Sequence, residues 1–214
     1  MFDITFISDY VCPYCLVAKE ALKEALIETG AEAKITWVPY ELTQEPRERV
    51  DTYSDPVRRA KYKVLDEPCR KLGLDMKLPP HVVPRPYTRM AFEGWFYACD
   101  KDKGDIYNDM MYRAYFMDEK DIGDIEVLTE MAGKIGLDQA DFRKALEEGR
   151  YTEKEKEAVA LARSQYEING VPTIYINGVK VGLQEYTMEE MICLLGEQYN
   201  EDMDSAFGCG PEGC

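Results

Sequence analysis

The chain has 214 residues, of which 26 are basic and 41 acidic, and its formal net charge at pH 7 is −15. This charge opposes binding to nucleic acid or to an anionic membrane surface, and no run of about 18 apolar residues could span a bilayer. The length fits a single domain, or one domain that carries an insertion.

The seven cysteines bear on the cellular compartment. Cys69, Cys99 and Cys193 are isolated within helical patterns, as is typical of cysteines that stay reduced in a reducing compartment. The first predicted strand begins directly after Met1, without the basic and apolar segments of a secretory signal. We therefore expect a cytoplasmic protein.

The first strand and the first helix flank a pair of cysteines. An apolar run predicts a strand over residues 2–7, and apolar residues recur at helical spacing over residues 16–29. Cys12 and Cys15 lie between them on the first helical turn, where unpaired N–H groups and the helix dipole stabilise a thiolate. Thiolates attack disulfides, so we predict that Cys12 is a nucleophile and that Cys15 closes a disulfide with it.

Two other interpretations of this pair are a zinc half-site and two inert core cysteines. A structural zinc site needs four ligands, usually supplied as two pairs. The other close cysteine pair is Cys209 and Cys214, and the single histidine, His81, lies in a proline-rich loop where a surface position is expected. We therefore favour redox chemistry and expect no metal ion.

The middle of the chain is predicted to be helical. A second strand is predicted over residues 33–38, and helices over residues 56–72, 86–100, 105–118, 125–135, 139–148 and 152–168. Asp55, Asp138 and Thr152 are predicted caps, the last in a capping box with Glu155. Four prolines within residues 78–86 forbid a helix there and predict a loop.

The chain then returns to strands. Strands are predicted over residues 173–176 and 179–181, joined by the hairpin turn Asn177-Gly178, and Thr187 caps a last helix over residues 188–199. The order β-α-β, helical block, β-β-α predicts an α/β protein with a thioredoxin-like fold and a large all-helical domain inserted between its two halves. We assign residues 1–40 and 170–200 to the thioredoxin-like domain, 41–169 to the insertion and 201–214 to a flexible tail.

Val171-Pro172 forms the second part of the predicted site, immediately before the third strand. In a thioredoxin-like layout this proline is expected in cis beside the cysteines, where its peptide edge can pair with an extended substrate. Only about 5–6% of X-Pro bonds in folded proteins are cis, and the alternative is a turn proline that starts an edge strand. The strand order and the cysteine pair favour cis-Pro172.

Four motifs, taken together, resemble a known family. They are Asp9-Tyr10-Val11-Cys12-Pro13-Tyr14-Cys15, Ala114-Tyr115-Phe116 with Asp121-Ile122-Gly123-Asp124, Gly170-Val171-Pro172-Thr173, and Gly182-Leu183-Gln184. Over about residues 1 to 195 the chain resembles the DsbA family of thioredoxin-like oxidoreductases, and within it the cytoplasmic FrnE-like subgroup. The first and third motifs are specific to redox thioredoxin folds, and the other two are weaker.

The resemblance implies a thiol-disulfide oxidoreductase or isomerase with a catalytic disulfide at Cys12 and Cys15, covered by the helical domain. The predicted substrate-binding residues are Val171, Pro172, Pro13 and Tyr14. We expect no cofactor other than the redox-active disulfide, which an external thiol or a thioredoxin- or glutathione-type partner would recharge. The expected substrates are proteins or small molecules that carry a thiol or disulfide, and the protein is expected to be a monomer or a dimer.

Tyr14 departs from the family pattern, because DsbA itself has histidine between its cysteines. Tyrosine supplies no cation to stabilise the Cys12 thiolate, and a less stabilised thiolate makes the couple less oxidising. We expect a reduction potential between those of thioredoxin and DsbA, roughly −270 to −120 mV, and nearer the reducing end.

Two alternatives belong to other functional classes. By resemblance, the same fold carries glutathione-dependent isomerases and transferases of the kappa and chromene-carboxylate type, which need one nucleophile or a serine at the first cysteine position. The other alternative is a non-catalytic binding module with an aromatic helical face. That face would comprise Tyr87, Phe92, Trp95, Phe96, Tyr107, Tyr112, Tyr115 and Phe116. At helical spacing most of these rings are expected to lie in the core.

Two further groups are weaker candidates. Asp9 or Glu41 could accept the proton of Cys15, as buried carboxylates can when desolvation raises their pKa. Cys209 and Cys214, separated by four residues that include glycine and proline, form a possible secondary redox pair. The alternative for this pair is a passive exposed disulfide or a weak soft-metal site.

Overall fold

The computed structural model describes the backbone of residues 1–206 and the side chains of residues 1–198. Within these residues four strands form one sheet in the order β2-β1-β3-β4. The strands are β1 (Phe2–Ser8), β2 (Ala33–Pro39), β3 (Thr173–Ile176) and β4 (Val179–Val181). β1 pairs in parallel with β2 and antiparallel with β3, and β3 pairs antiparallel with β4. This topology confirms the predicted thioredoxin-like fold.

Helices make up most of the rest of the described chain. They are α1 (Pro13–Thr29), α2 (Pro56–Tyr62), α3 (Asp66–Lys71), α4 (Arg89–Cys99), α5 (Gly104–Phe116), α6 (Ile125–Lys134), α7 (Gln139–Glu147), α8 (Thr152–Gln165) and α9 (Met188–Ala206). A short 3₁₀ turn, Lys63–Leu65, connects α2 to α3. In the part of the chain that is described, none of these helices combines the length and the apolar composition needed to cross a membrane.

The sheet and the helical block have separate cores. α1 and α9 pack against each other and cover one core, in which Ile4, Phe6, Leu22, Ile174 and Met191 are buried. The larger core lies among α4, α5, α6 and α7. Six of the eight rings of the predicted aromatic face are buried, namely Phe92, Phe96, Tyr107, Tyr112, Tyr115 and Phe116. These rings therefore stabilise the fold, which leaves little aromatic surface for a docking module. The assignment of residue ranges to domains stays a prediction.

The predicted helix over residues 56–72 is wrong as a single element. α2 ends at Tyr62, and α3 begins at Asp66, so Pro68 lies within the first turn of a new helix. Proline has no N–H to donate and its ring clashes with the carbonyl four residues earlier, so it is tolerated in a first turn but not in a helix interior. The chain satisfies this constraint by restarting the helix just before Pro68.

The predicted caps have different outcomes. Asp55 and Asp138 accept hydrogen bonds from the first main-chain N–H groups of α2 and α7, and Thr187 accepts one from Glu190 N at 3.2 Å. Thr152 is instead the first residue of α8, so the predicted capping box is wrong. Its partner Glu155 is buried inside the protein and does not cap the helix.

The two ends of the last β-β-α unit are also defined. Asn177 and Gly178 have positive φ angles of 50° and 82°, as a two-residue hairpin turn between β3 and β4 requires. α9 continues past the predicted end at Tyr199 to Ala206, so residues 201–206 of the predicted tail are helical. Cys209 and Cys214 lie outside the described residues.

Three carboxyl side chains are buried where α4 and α8 meet the segment after β2. Glu41, Glu93 and Glu155 are all buried, and Glu155 has no accessible surface. Within the described residues neither carboxylate oxygen of Glu155 has a hydrogen-bond partner. Burial, followed by the charges of Glu41 and Glu93, raises the pKa of Glu155 to about 8. Arg89 and Lys156 oppose this shift but do not cancel it.

Glu155→Gln should reduce the dependence of stability on pH. Folded Glu155 has a pKa of about 8 and unfolded glutamate one near 4.5, so the folded state binds the extra proton between these values. The native protein therefore loses stability as pH rises through this window, by at most about 1.4 kcal/mol per pH unit from this group. Thermal unfolding between about pH 5 and pH 9 should show the difference between variant and wild type growing with pH.

Glu157→Gln is the matched control for this experiment, because Glu157 is an exposed residue of the same helix. It should follow the wild-type curve across the pH range. A constant offset between Glu155→Gln and wild type at every pH would contradict the assignment of a titrating Glu155.

Candidate active site

Cys12 and Cys15 lie at the N-terminus of α1, as predicted. Cys12 is the residue before the first helical turn, with extended backbone angles, and Pro13 follows at the first helical position. The Cys12 carbonyl accepts from Cys15 N at 3.1 Å and from Leu16 N at 3.4 Å, which fixes the turn. Both cysteines are free thiols, so this is the reduced form of the pair.

The two predicted halves of the site meet at the sulfur of Cys12. The Cys12 thiol donates a hydrogen bond to the carbonyl oxygen of Val171 at 3.3 Å. The Val171–Pro172 peptide bond is cis, as predicted. The strand pairing of β1 with β3 therefore brings Cys12 and Val171 into contact across most of the length of the chain.

The two sulfurs have different environments. Cys12 is 4% exposed and borders an open groove, whereas Cys15 has no accessible surface. Burial raises the pKa of Cys15 well above that of a free thiol, and its hydrogen bond with Cys12 raises the pKa further. Cys15 therefore keeps its proton and donates it towards Cys12, which is the arrangement of an attacking thiol in front of a resolving one.

The groove beside Cys12 has a volume of about 550 Å³. Its lining comes from α1, from the segment after β2, from α2 and its N-terminal flank, and from the residues before β3. The lining residues are Val11, Cys12, Pro13, Tyr14, Leu42, Thr43, Val50, Asp55, Val57, Arg58, Lys61, Tyr62, Arg85, Gly170 and Val171. Three of the four predicted substrate-binding residues, Val171, Pro13 and Tyr14, thus share one groove with the reactive sulfur.

Tyr14 connects α1 to α2. Its hydroxyl donates to the main-chain carbonyl of Lys61 at 3.0 Å, and its ring packs against Tyr62 and Tyr186 at centroid distances of 6.3 and 5.3 Å. Tyr14 therefore helps to position α2, which forms the opposite wall of the groove.

Asp9 is a buried carboxylate directly behind the thiols. It has no accessible surface, and it accepts from Leu42 N at 2.7 Å and from Val11 N at 3.4 Å. Burial raises its pKa, while these hydrogen bonds and the charge of Arg85 oppose the rise. The main chain of Asp9 also contacts the Cys15 thiol, so of the two predicted carboxylates Asp9 is the one placed at the sulfurs. Glu41 is buried nearby, and the charge of Asp9 is one of the causes that raise the pKa of Glu41, after burial.

Arg85 is a residue of the site that was not predicted from the sequence. This residue is buried, and its Nη2 donates to Thr43 Oγ1 at 2.8 Å. Its main-chain N–H donates to the Val50 carbonyl at 2.9 Å. Its guanidinium places a cation at the groove, whereas the residues between the two cysteines, Pro13 and Tyr14, supply none. The sequence context of Arg85, a charged residue between two prolines in the predicted loop, indicated neither its burial nor its partners.

The remaining candidates lie away from the sulfurs. His81 is in an exposed loop, as expected, and stacks on Tyr53 at a centroid distance of 4.3 Å. Burial raises the pKa values of Cys69 and Cys99 to about 11, so these thiols stay protonated at neutral pH. Cys193 is exposed on α9 and is also a free thiol.

Comparison with known proteins identifies the family. A family model described as a DSBA-like thioredoxin domain matches residues 3–192. The chain belongs to this family. It is also 38% identical over 170 residues to the uncharacterized protein YwbO of Bacillus subtilis, which covers 79% of this chain and 84% of that protein.

Solved structures share the fold. A probable DsbA oxidoreductase of Streptomyces coelicolor matches with a TM-score of 0.76 at 22% identity, covering 100% of this chain and 98% of that one. A 2-hydroxychromene-2-carboxylate isomerase matches with a TM-score of 0.72 at 16% identity, covering 95% and 98%. The cytosolic disulfide reductase DsbM of Pseudomonas aeruginosa matches with a TM-score of 0.67 at 15% identity, covering 93% and 99%. At these identities the likeness concerns the fold alone.

Limiting iodoacetamide at about pH 7 should alkylate Cys12 at least about tenfold faster than Cys15, Cys69 or Cys99. The reason is that burial raises the pKa of each of the other three thiols, and only thiolates react. Peptide mass spectrometry after timed quenching gives the rate for each cysteine, with the exposed Cys193 as an internal reference. Faster labelling of Cys15 than of Cys12 would reverse the assignment.

Proposed function

We propose that this chain is a thiol-disulfide oxidoreductase that exchanges disulfides with protein or small thiol substrates through Cys12 and Cys15. The observation that supports it most is the 3.3 Å contact between the Cys12 thiol and the Val171 carbonyl at the wall of an open groove. A substrate sulfur has room beside Cys12, and Cys15 is held behind it in reach of the same sulfur. The main-chain edge at Val171 gives an extended substrate hydrogen-bonding partners.

The exchange has two steps. The Cys12 thiolate attacks one sulfur of a substrate disulfide, so a Cys12–substrate bond forms, the substrate bond breaks, and the second substrate sulfur leaves and takes up a proton. Cys15 then loses its proton, attacks Cys12 and releases the first substrate sulfur. The substrate gains two electrons and two protons, and the protein dithiol becomes a disulfide. The same steps in reverse oxidise a substrate dithiol.

Asp9 is the proposed proton acceptor for Cys15. Burial raises the pKa of both groups. The thiol proton can therefore pass to the Asp9 carboxylate and later to solvent. The charge of Arg85 opposes the rise in the pKa of Asp9 and so stabilises the ionised carboxylate between these transfers. The main chain of Asp9 contacts the Cys15 thiol and its carboxylate acts on that thiol through its charge, whereas Arg85 acts through Asp9 and is a positioning residue.

The finer assignment rests on the motifs and on the cysteine usage. We place the chain in the FrnE-like subgroup, in the cytoplasm, with an external thiol or a thioredoxin- or glutathione-type partner that returns the dithiol to its reduced state. The fold likeness to a cytosolic disulfide reductase is in keeping with this proposal. Net reduction or isomerisation of substrates is the favoured direction, because Tyr14 supplies no cation to the Cys12 thiolate.

The isomerase and transferase alternative shares the fold but not the need for two thiols. Those enzymes, by resemblance, act with one nucleophile or a serine at the first position, whereas here a second thiol, Cys15, interacts with Cys12. A glutathione conjugation assay beside a dithiol-turnover assay separates the two classes. Conjugation that survives the loss of Cys15 would favour the alternative.

Cys15→Ser should accumulate a mixed disulfide between Cys12 and the substrate, because the resolving sulfur is gone while the attacking one remains. Non-reducing electrophoresis after incubation with a disulfide-containing peptide, followed by peptide mapping, measures the adduct and its site. Cys12→Ser is the matched control and should form no adduct through Cys15, which is buried and protonated. Equal adduct formation by both variants would contradict the division of roles.

Asp9→Asn should slow the release of the mixed disulfide by about tenfold or more near neutral pH, because Cys15 then lacks a proton acceptor. The release rate of the variant should rise more steeply with pH than that of wild type, as solvent hydroxide takes over. Glu41→Gln removes a neighbouring carboxylate that does not contact the thiol and should change release little. A pH profile for Asp9→Asn that is parallel to wild type would indicate a structural role only.

A further inference from the structure

We propose that α2 and its C-terminal flank form a docking surface for an acidic, extended polypeptide segment that carries the substrate cysteine. This inference rests on the proposed thiol-disulfide exchange and names the class of substrate that the site prefers. The surface consists of Arg58, Arg59, Lys61 and Lys63, and we call it the basic rim.

The basic rim runs against the overall charge of the protein. Residues 56–63 contain four basic side chains and no acidic one, in a chain whose formal net charge is −15. A local patch of one sign determines which charged group approaches within a Debye length of it, about 8 Å at physiological salt. The approach to the groove is therefore selective for negative charge even though the whole molecule repels it.

The cations of the basic rim are largely available to a partner. Arg58 pairs with Asp55 at 3.2 Å, and the Arg59 guanidinium lies 5.9 Å from the centre of the Tyr53 ring. Lys61 and Lys63 are exposed, and neither forms an ion pair with any residue whose side chain is described. Lys61 and Lys63 can therefore bind an incoming acid without first breaking an ion pair.

The basic rim is adjacent to the reactive sulfur. Arg58 and Lys61 line the same groove as Cys12, and the hydrogen bond from Tyr14 to the Lys61 carbonyl fixes α2 against the cysteine turn. An extended chain spans about 3.3–3.6 Å per residue, so carboxylates within about four residues of a substrate cysteine at Cys12 reach the rim.

The extent of the basic rim favours a polypeptide over a small anionic thiol. Arg59 and Lys63 do not line the groove, so a ligand of a few residues' size inside it would leave them unused. Val57 and Val64, on the same segment, are 62% and 59% exposed and offer apolar contact to a longer chain. Val57 lines the groove, and Arg59, Lys63 and Val64 present further charge and apolar surface on the same segment beyond that lining.

The test uses the reduced full-length protein and three peptides of equal length, each with one cysteine activated as a mixed disulfide with 2-thiopyridine. Aspartate, lysine or serine flanks the cysteine in the acidic, basic and neutral peptide. Attack by Cys12 forms the protein–peptide disulfide and releases pyridine-2-thione, which stopped-flow absorbance records in a single turnover. The net charge of −15 alone predicts that the basic peptide reacts fastest, whereas the basic rim predicts that the acidic one does.

We expect the acidic peptide to react about tenfold faster than the basic one at low salt, with the difference shrinking as salt is added. Lys61→Glu combined with Lys63→Glu should reverse the order of the two peptides, each rate being taken relative to the neutral peptide. The control is Lys23→Glu combined with Lys34→Glu, which changes the net charge equally at exposed positions on the order of 15 Å from the cysteine turn. This control should keep the wild-type order.

Each other outcome overturns the proposal in a different way. Equal rates for the three peptides, or an unchanged order in the Lys61→Glu and Lys63→Glu protein, would remove the docking surface and leave the proposed exchange intact. If the Lys61→Glu and Lys63→Glu protein lost as much reaction rate with glutathione disulfide as with the acidic peptide, the rim would select small anions rather than polypeptides. No thione release from any peptide would contradict both the docking surface and the proposed function.

Discussion

The contact between the Cys12 thiol and the Val171 carbonyl joins residues that are 159 positions apart, and the site depends on it. It is possible because β1 and β3 are neighbours, with Ile7 opposite Thr173. The end of β1 leads into the cysteine turn, and Pro172 immediately precedes β3, so one edge of the sheet carries both. The helical block leaves the sheet after β2 and returns before β3. It can therefore cover the site without changing the strand pairing that assembles it.

The features that could be predicted depend on a few consecutive residues. The cysteine turn, the Asn177-Gly178 hairpin and the aspartate caps follow from local backbone chemistry. Pro68 is also a local signal, because it lies in the first turn of α3, where the helix predicted over residues 56–72 restarts. Arg85 was not predictable in the same way, because its role comes from a contact with Asp9 across 76 positions of sequence. No local pattern marks the partner of a buried ion.

Net charge bears on the partners that the whole surface disfavours, but it does not describe the charges at the site. A chain with 41 acidic and 26 basic residues repels polyanions at long range. Screening limits that repulsion to about a Debye length at physiological salt, so the groove is governed by the charges that border it. Those charges include Arg58, Lys61 and Arg85, which lie at separate places in the sequence and meet only in the fold. Among the described residues, the groove is therefore bordered by three basic side chains and one acidic one, Asp55, unlike the chain as a whole.

The buried carboxylates link the thiols to the centre of the helical block. The charge of Asp9 acts on Cys15 and on Glu41, and the charge of Glu41 acts in turn on Glu155. Each ionised member makes ionisation of the next less favourable, so these groups bind and release protons as a coupled set. A proton that passes from Cys15 to Asp9 moves one negative charge from the carboxylate to the sulfur. That charge leaves the set with the substrate thiolate when Cys15 forms its disulfide with Cys12, which favours ionisation of Glu41. The pH dependence of thiol exchange and that of stability are therefore expected to share groups, although Glu155 itself touches neither sulfur.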